Sequence, residues 1–376
     1  MAQTRIDNFS QVIGQQSIKQ LFLSALEKDR LAHAYLFHGP EGVGMDSMAL
    51  SLAMTLYCDQ HLPGGCQTCP SCGRILHMEQ PGVTWVFPLP TQPKSLAFDK
   101  YQMIVRNKSL AYLENPYMPM EFAPELSSLP LISIDQIRQI KKETHLKMAG
   151  AQSRMIIISH ADRMNVAASN SLLKLLEEPP PDTHLILTTS APVRLLPTIR
   201  SRCQSVRFPL LPEDEIETAL RERWEISAER SRFLARISGG TPQNALLRNS
   251  DAFEEKRNAA FSFLLAALQK DPFVRLTESD SLIAGFDKAA IKEIFEVLLM
   301  IVRDCFQIQT GSRGRVMNID RLAILEKIAD QWPHLDPADA IASIERAIDF
   351  IEKNVYLDLI VHETAQSLYG SQEASG

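Results

Sequence analysis

The sequence lacks a long apolar stretch, and this absence excludes integral membrane proteins. No apolar run approaches the ~18 residues that a membrane-spanning helix needs. The first residues, MAQTRIDNFSQ, also lack the apolar core of a signal peptide, so we expect a cytoplasmic protein. Cysteine is scarce as well. Six cysteines among 376 residues are too few for a disulfide scaffold, which favours a reducing compartment.

Basic residues are also fewer than acidic residues. The chain has 39 basic and 45 acidic residues, a net charge of −6, whereas a protein that mainly grips phosphate backbones is usually basic. Residues 1–210 carry 20 basic and 17 acidic residues, a net charge of +3, and residues 211–376 carry 19 and 28, a net charge of −9. DNA contact by the first half therefore stays open. The length predicts roughly two to three domains.

The first two hundred residues alternate short apolar runs with helical patterns, which is typical of a parallel α/β sheet covered on both faces. The run Ile156–Ile158 does not alternate with polar residues, so we expect a strand buried on both faces in the middle of the sheet. A helix is predicted to begin after Asn165 as its N-cap and to end before Pro179. The candidate strands are Ala34–His38, Val83–Phe87, Met155–Ser159, His184–Thr189 and Gln204–Phe208.

Two further regions differ from this pattern. Residues 88–130 are rich in proline and poor in apolar repeats, which predicts a long loop or a partly helical insertion without an evident function. After Pro209 the strand signals stop. Short helical patterns follow up to residue 250, and longer ones from Ala252 predict an all-helical C-terminal segment.

Four of the six cysteines form a cluster with the spacing C-x7-C-x2-C-x2-C, namely Cys58, Cys66, Cys69 and Cys72. Two CxxC steps bring thiolates together, and a more distant cysteine completes a tetrahedral shell, as in structural zinc sites. Because all four ligands come from the protein, no coordination position is left for a substrate. An iron–sulfur cluster is the rival, although the ferredoxin pattern needs a cysteine where Leu76 stands. Reduced thiols without metal are the third alternative.

A degenerate phosphate-binding loop follows the first candidate strand. Residues 39–46 read GPEGVGMD, with Gly39 and Gly44 at the two glycine positions of the motif G-x-x-x-x-G-K-[ST] and Gly42 between them. Met45 replaces the lysine that meets the phosphates, and Asp46 replaces the hydroxyl that holds Mg²⁺. An aspartate places negative charge at the helix start, where the polyphosphate would lie. We therefore expect no ATP binding. A plain strand–helix turn is the alternative interpretation.

A second ATPase element is altered independently. P-loop ATPases hold Mg²⁺ with an acidic residue at the end of a buried strand, often followed by a glutamate. Here Ser159 and His160 occupy these two positions. Asp162 lies three residues beyond the metal position and is predicted to be a turn or cap residue. The chain thus has the pattern of an ATPase without its catalytic side chains.

Two further stretches carry a family resemblance. Residues 165–180 read NVAASNSLLKLLEEPP, and residues 188–203 read TTSAPVRLLPTIRSRC. Together with the cysteine cluster behind the degenerate loop, they resemble the clamp-loader subunits of bacterial DNA polymerase III, which are AAA+ proteins. The gamma/tau subunits of that family keep a working GK[ST] and an acidic pair. The delta-prime subunits lack both, as here, and Gln243 stands where the gamma-type subunits have an arginine.

The resemblance implies three domains and a set of partners. It implies an AAA+ α/β domain at 1–208 with a zinc module at 58–72, a helical lid at 209–250 and a helical collar at 251–376. In the family, the collars close a five-subunit ring that loads the sliding clamp on primed DNA. The implied protein is a nucleotide-free stator beside delta and gamma/tau subunits, in the nucleoid-associated replisome, with structural zinc and no ATP.

The motif Ser201-Arg202-Cys203 matches the family's Ser-Arg-Cys. In the family this arginine reaches the ATP bound by the neighbouring gamma subunit, so the resemblance implies that Arg202 is an arginine finger acting in trans. A guanidinium suits this role because it can donate two hydrogen bonds to γ-phosphate oxygens. Two alternatives stay open: Arg200 is the finger, or Arg202 is a structural surface arginine.

Three functional hypotheses follow. The first is the non-enzymatic ring component just described. The second is an active gamma-like clamp-loader ATPase, and the third is a stand-alone zinc-dependent DNA-binding module, which would need a salt-sensitive affinity for DNA. The residues Asn170, Lys174, Glu177 and Glu178 of the LEEPP helix are interpreted either as a solvated face or as a contact with DNA or the clamp.

Overall fold

The computed structural model describes residues 9–120, 122, 126, 129–144, 153–332 and 336–373. Within these residues the chain forms five strands and sixteen α-helices. The strands are β1 (Ala34–His38), β2 (Val83–Val86), β3 (Arg154–Ile158), β4 (Thr183–Thr189) and β5 (Gln204–Arg207). The helices are α1 (Gln16–Glu27), α2 (Met45–Tyr57), α3 (Pro70–Leu76), α4 (Phe98–Glu114), α5 (Ile134–Thr144), α6 (Val166–Glu177), α7 (Pro197–Arg200), α8 (Glu213–Arg223), α9 (Ala228–Ile237), α10 (Pro242–Leu247), α11 (Asp251–Ala267), α12 (Pro272–Gly285), α13 (Lys288–Gln309), α14 (Leu322–Gln331), α15 (Pro337–Glu352) and α16 (Leu357–Glu373).

The chain divides into two compact units. The first takes in Met1–Trp224 and Ser238–Leu246, and the second takes in Glu225–Ile237 and Leu247–Gly376. The three-domain organisation with boundaries at residues 208 and 250 stays a prediction. None of the helices that the structure describes is long and apolar enough to cross a membrane.

The first unit is built on one parallel sheet with the strand order β2-β3-β4-β1-β5. All five predicted strands are confirmed. Strand β1 has the predicted boundaries, and no boundary of the other four strands differs from the prediction by more than one residue. Strand β3 lies between β2 and β4 and is buried along its whole length, as its uninterrupted isoleucines predicted.

Side chains of successive strand residues fill two different cores, because they point to opposite faces of a sheet. Ile156 and Leu185 lie in one core with residues of α5 and α6. Ile157 and Ile186 lie in the other core with α1, α2 and the cysteine cluster. The sheet therefore supports the cysteine cluster and the LEEPP helix on opposite faces.

Helix α6 begins and ends where the sequence predicted. The side-chain oxygen of Asn165 accepts a hydrogen bond from the backbone N–H of Ala168 at 2.8 Å, which satisfies one of the free donors at a helix start. The helix ends at Glu177, just before the proline run that opens with Pro179. The insertion at 88–130 is partly helical, as predicted, because it contains the 17-residue helix α4.

In the residues that the structure describes, the second unit is all-helical, and a buried arginine packs against its helix α9. Arg257 on α11 is 1% exposed and pairs with both oxygens of Asp320 at 2.6 and 2.7 Å. Its guanidinium also lies 3.9 Å from the ring centroid of Phe233 on α9, a cation–π contact. Beside it, the carboxylate of Asp304 accepts hydrogen bonds from the backbone N–H groups of Met317 and Asn318.

Candidate functional sites

The cysteine cluster forms a site whose geometry fits a metal ion. The sulfur atoms of Cys58, Cys66, Cys69 and Cys72 all lie within 4.8 Å of one another. Four thiolates at ~2.3 Å from a zinc ion would be separated by ~3.8 Å in a tetrahedron. Three of the sulfurs accept backbone N–H groups of the knuckle at 3.3–3.4 Å, a pattern that stabilises thiolates.

The local backbone explains why these four thiols meet. Cys58 follows α2, and Cys69 is the N-cap of α3. Between them, Gly64 and Gly65 adopt φ values of 85° and 78°, which favour glycine. A Cβ on Gly65 would lie 3.2 Å from the sulfur of Cys72. The turn therefore brings backbone close to the cluster at a position where a side chain would crowd it.

The thiols of the cluster differ in acidity. Hydrogen bonding from Thr68 lowers the pKa of the Cys66 thiol to about 6, whereas burial raises the pKa of the Cys72 thiol to about 12. Zinc deprotonates a coordinating thiol outright. The donor set and its burial fit a tetrahedral four-sulfur metal site.

The segment predicted to be a degenerate phosphate-binding loop lies between β1 and α2, which is where its sequence pattern predicted it. Gly42 and Gly44 have φ values of 76° and 99°. Met45 is the first residue of α2, and both Met45 and Asp46 are buried. The Tyr112 hydroxyl of α4 donates a hydrogen bond to the Asp46 carboxylate. Burial first, and then the negative charge of Asp46, raise the pKa of Tyr112 well above its ordinary value.

A second tyrosine of the insertion lies over the same loop. Tyr117 is 2% exposed, and its hydroxyl oxygen accepts the backbone N–H of Ile13 at 2.7 Å. A Cβ on Gly44 would lie only 2.8 Å from that oxygen, and a Cβ on Gly42 would lie 2.2 Å from the Cβ of Gln243. The loop is therefore covered by side chains of the same chain.

Little space is left above the loop. The cavity lined by the loop, Tyr112 and Gln243 has a volume of about 30 Å³, which is room for one or two water molecules. Sites for small molecules and cofactors usually measure ~300–1,000 Å³.

The residues at the end of β3, where P-loop ATPases have their acidic pair, make contacts within the first unit. The hydroxyl of Ser159 accepts the indole N–H of Trp85 at 2.7 Å. Asp162 lies in a short 3-10 turn and accepts the Thr189 hydroxyl at 2.6 Å. His160 follows Ser159 with a φ of 50°. These contacts hold the end of β3 against its neighbours.

The Ser-Arg-Cys motif connects α7 to β5. Arg202 forms an ion pair with Glu177 of the LEEPP helix, with 2.7 Å between Nη2 and Oε1. Its Nη1 also donates to the carbonyl oxygen of Thr198 at 3.0 Å. Arg200 makes no side-chain hydrogen bond or ion pair with any residue that the structure describes. Burial raises the pKa of the Cys203 thiol to about 11.

Some contacts were not anticipated from the sequence. Tyr112 and Tyr117 carried no recognisable motif, and Glu177, although it lies in the LEEPP stretch, carried no signal of its ion pair with Arg202. One signal was available: a carboxylate at the start of a buried helix, as at Asp46, calls for a hydrogen-bond donor from elsewhere in the chain. The structure identifies this donor as Tyr112.

Comparisons with known proteins agree with these observations. Residues 14–212 match the family described as "DNA polymerase III, delta subunit". The chain is 30% identical to the DNA polymerase III subunit delta' of Bacillus subtilis, over 91% of this chain and 92% of that protein. It is 26% identical to the DNA polymerase III subunit delta' of Escherichia coli, over 84% of this chain and 81% of that protein.

More distant similarities were also found. The chain is 28% identical to the DNA polymerase III subunit gamma/tau of Mycobacterium tuberculosis, over 64% of this chain and 36% of that protein. Its superposition on a gamma subunit-related protein of Thermotoga maritima has a TM-score of 0.41 at 13% identity, covering 93% of this chain and 99% of that one. The match over residues 14–212 and the nearly full-length similarity to a delta' subunit show that the chain belongs to the DNA polymerase III delta' family.

Proposed function

We propose that this protein is the delta' component of a DNA polymerase III clamp loader and that it binds no nucleotide. The names of its relatives support the first part. The observation that carries the second part is the phosphate loop covered by Tyr112 and Tyr117. A subunit that cannot exchange nucleotide does not change state with ATP, so it would act as a fixed stator in the ring.

Charge and volume both oppose nucleotide binding. Without the lysine that Met45 replaces, the loop loses a charge-assisted contact worth ~1.5–3 kcal/mol, or ~10- to 150-fold in affinity. Asp46 adds a negative charge at the helix start, where the phosphates would bind. The cavity of about 30 Å³ adds a steric barrier. The active gamma-like ATPase is disfavoured for these reasons.

The proposed chemical contribution is Arg202, acting on ATP bound by a neighbouring gamma/tau subunit. Its side chain is 35% exposed, so part of the guanidinium reaches the protein surface. Such an arginine can neutralise charge on the γ-phosphoryl group as the bond to the leaving group breaks. Arg200 is the alternative finger, and it lacks the side-chain contacts with described residues that fix Arg202.

The remaining parts of the proposal concern organisation. The four-cysteine site would hold structural zinc, since its donors and burial fit that ion. The AAA+ domain (1–208), lid (209–250) and collar (251–376) would assemble with delta and gamma/tau in a five-subunit ring that loads the sliding clamp on primed DNA in the cytoplasm. A stand-alone DNA-binding module is disfavoured by the net charge of −9 over residues 211–376.

The test of nucleotide exclusion is a titration of the full chain with labelled ATP and Mg²⁺, with hydrolysis measured in the same tube. A gamma/tau subunit serves as the positive control. We expect no binding up to millimolar ATP. Micromolar binding or turnover by the chain alone would contradict the proposal.

The test of Arg202 uses the reconstituted complex with delta and gamma/tau. Arg202→Ala should leave assembly intact and lower DNA-stimulated ATP hydrolysis, because the mutated group belongs to the neighbour's site. Arg200→Ala is the matched control and should hydrolyse ATP at the wild-type rate. If the two variants exchange these results, the finger is Arg200.

A further inference from the structure

Glu177 holds the guanidinium of Arg202 in place, and we propose that Glu177 is a positioning residue for Arg202 in the neighbour's ATP site. The proposal rests on the finger role proposed above for Arg202. Glu177 would touch neither the ATP nor the attacking water. It would act through the orientation of the guanidinium.

Two contacts hold the two terminal nitrogen atoms of the Arg202 guanidinium. The carboxylate of Glu177 accepts from Nη2 at 2.7 Å, and the carbonyl of Thr198 accepts from Nη1 at 3.0 Å. An arginine has five N–H donors in one plane. These two contacts therefore orient the plane while other donors stay available for a phosphate oxygen.

The carboxylate of Glu177 lies at a helix end where negative charge is unfavourable. Glu177 is the last residue of α6, and the C-terminal end of a helix disfavours negative charge. The next residue, Glu178, is also acidic. The guanidinium of Arg202 offsets this cost for Glu177, so the pair links the end of α6 to the Ser-Arg-Cys motif.

Both supports of the guanidinium are fixed elements. Helix α6 is capped by Asn165 at its start, and Leu172 and Leu176 of its inner face are fully buried. Thr198 belongs to α7, which packs against α6. A group held by rigid elements reaches its target without first losing the freedom of a long side chain.

Orientation matters because of the reaction that the finger would assist. In ATP hydrolysis the water oxygen forms a bond to the γ-phosphorus, and the bond from that phosphorus to the bridging oxygen breaks. ADP leaves with the electron pair, and the proton that the water loses passes to the released phosphate or to solvent. Arginine donors must be in place as charge develops on these oxygens. A misplaced donor stabilises the transition state less, even when its charge is unchanged.

The test compares Glu177→Ala and Glu177→Gln in the reconstituted complex with delta and gamma/tau, at saturating primed DNA. Glu177→Ala should lower kcat for ATP about tenfold with KM for ATP unchanged, because the interaction acts in the transition state. Glu177→Gln keeps a hydrogen-bond acceptor at the same reach and should stay within about twofold of the wild-type kcat. The double variant Glu177→Ala/Arg202→Ala should match Arg202→Ala alone.

A matched control separates this effect from the loss of a surface ion pair. Glu79 pairs with Arg106 at 2.9 Å with both side chains exposed, and Glu79→Ala should leave kcat unchanged. Assembly is measured on the same samples by gel filtration. Equal kcat for Glu177→Ala and wild type, an increase in kcat, or a decrease explained by lost assembly would each overturn the positioning role. Failure of Arg202→Ala to lower kcat would instead overturn the finger role itself.

Discussion

Replacement of Tyr117 tests whether the insertion fills the phosphate site. The side chain is 2% exposed and accepts the backbone N–H of Ile13. Tyr117→Ala removes a buried aromatic ring and should lower the free energy of unfolding of the first unit by ~3–5 kcal/mol. Tyr117→Phe keeps the ring and leaves the Ile13 N–H without this acceptor, a loss of ~1–3 kcal/mol.

The assay is urea unfolding followed by tryptophan fluorescence. The ring of Trp224 lies 6.3 Å from that of Tyr117, so its emission reports the environment of the insertion. Both variants are made in a Trp332→Phe background, because Trp332 is buried in the second unit and would add its own transition. The two variants then separate ring packing from the hydrogen bond.

The same variants are titrated with ATP. Tyr117→Ala alone should not bind micromolar ATP, because Met45 and Asp46 still lack the cation and hydroxyl of a working loop. Tyr117→Ala combined with Met45→Lys and Asp46→Thr should bind more tightly than Met45→Lys and Asp46→Thr without it. A Tyr117→Ala protein as stable as wild type, or no gain from adding it to the loop substitutions, would refute the filled-site argument.

Two further predictions concern the metal site and the second unit. Cys69→Ser should lose bound metal and expose residues 58–72 to proteolysis, measured by metal analysis and limited digestion, and a fully stable metal-free wild type would contradict the zinc proposal. Asp320→Ala should lower the free energy of unfolding of the second unit by ~3–5 kcal/mol, because it leaves Arg257 buried without its main partner. As a control, Asp349→Ala removes one partner of the exposed ion pair between Asp349 and Lys353 and should change the free energy of unfolding by less than ~1 kcal/mol. Equal effects of Asp320→Ala and Asp349→Ala would show that burial of Arg257 does not matter.

The strands could be predicted because their signal is local. An apolar run such as Ile156–Ile158 is buried whatever strand lies beside it, so its position follows from the sequence alone. The cap at Asn165 is local for the same reason. The strand order is not local, because neighbouring strands such as β1 and β5 are separated by most of the first unit.

The covering of the phosphate loop could not be predicted, because it depends on distant partners. Tyr112 and Asp46 are 66 residues apart, and Tyr117 and Ile13 are 104 residues apart. The insertion contains no repeat or motif that assigns it to the loop. The same limit applies to Arg202. Its motif suggested a role, but its ion pair with Glu177 is a tertiary contact that the sequence did not predict.

The attachment of α9 to the second unit has a consequence for any shortened form of this protein. The chain passes between the units at three places, after Trp224, Ile237 and Leu246. A protein ending at residue 250 would keep α9 but lose Arg257, which covers the face of Phe233. A cut at residue 250 therefore separates α9 from a residue that packs on it, and a shortened form that keeps this contact must join Glu225–Ile237 to the C-terminal helices.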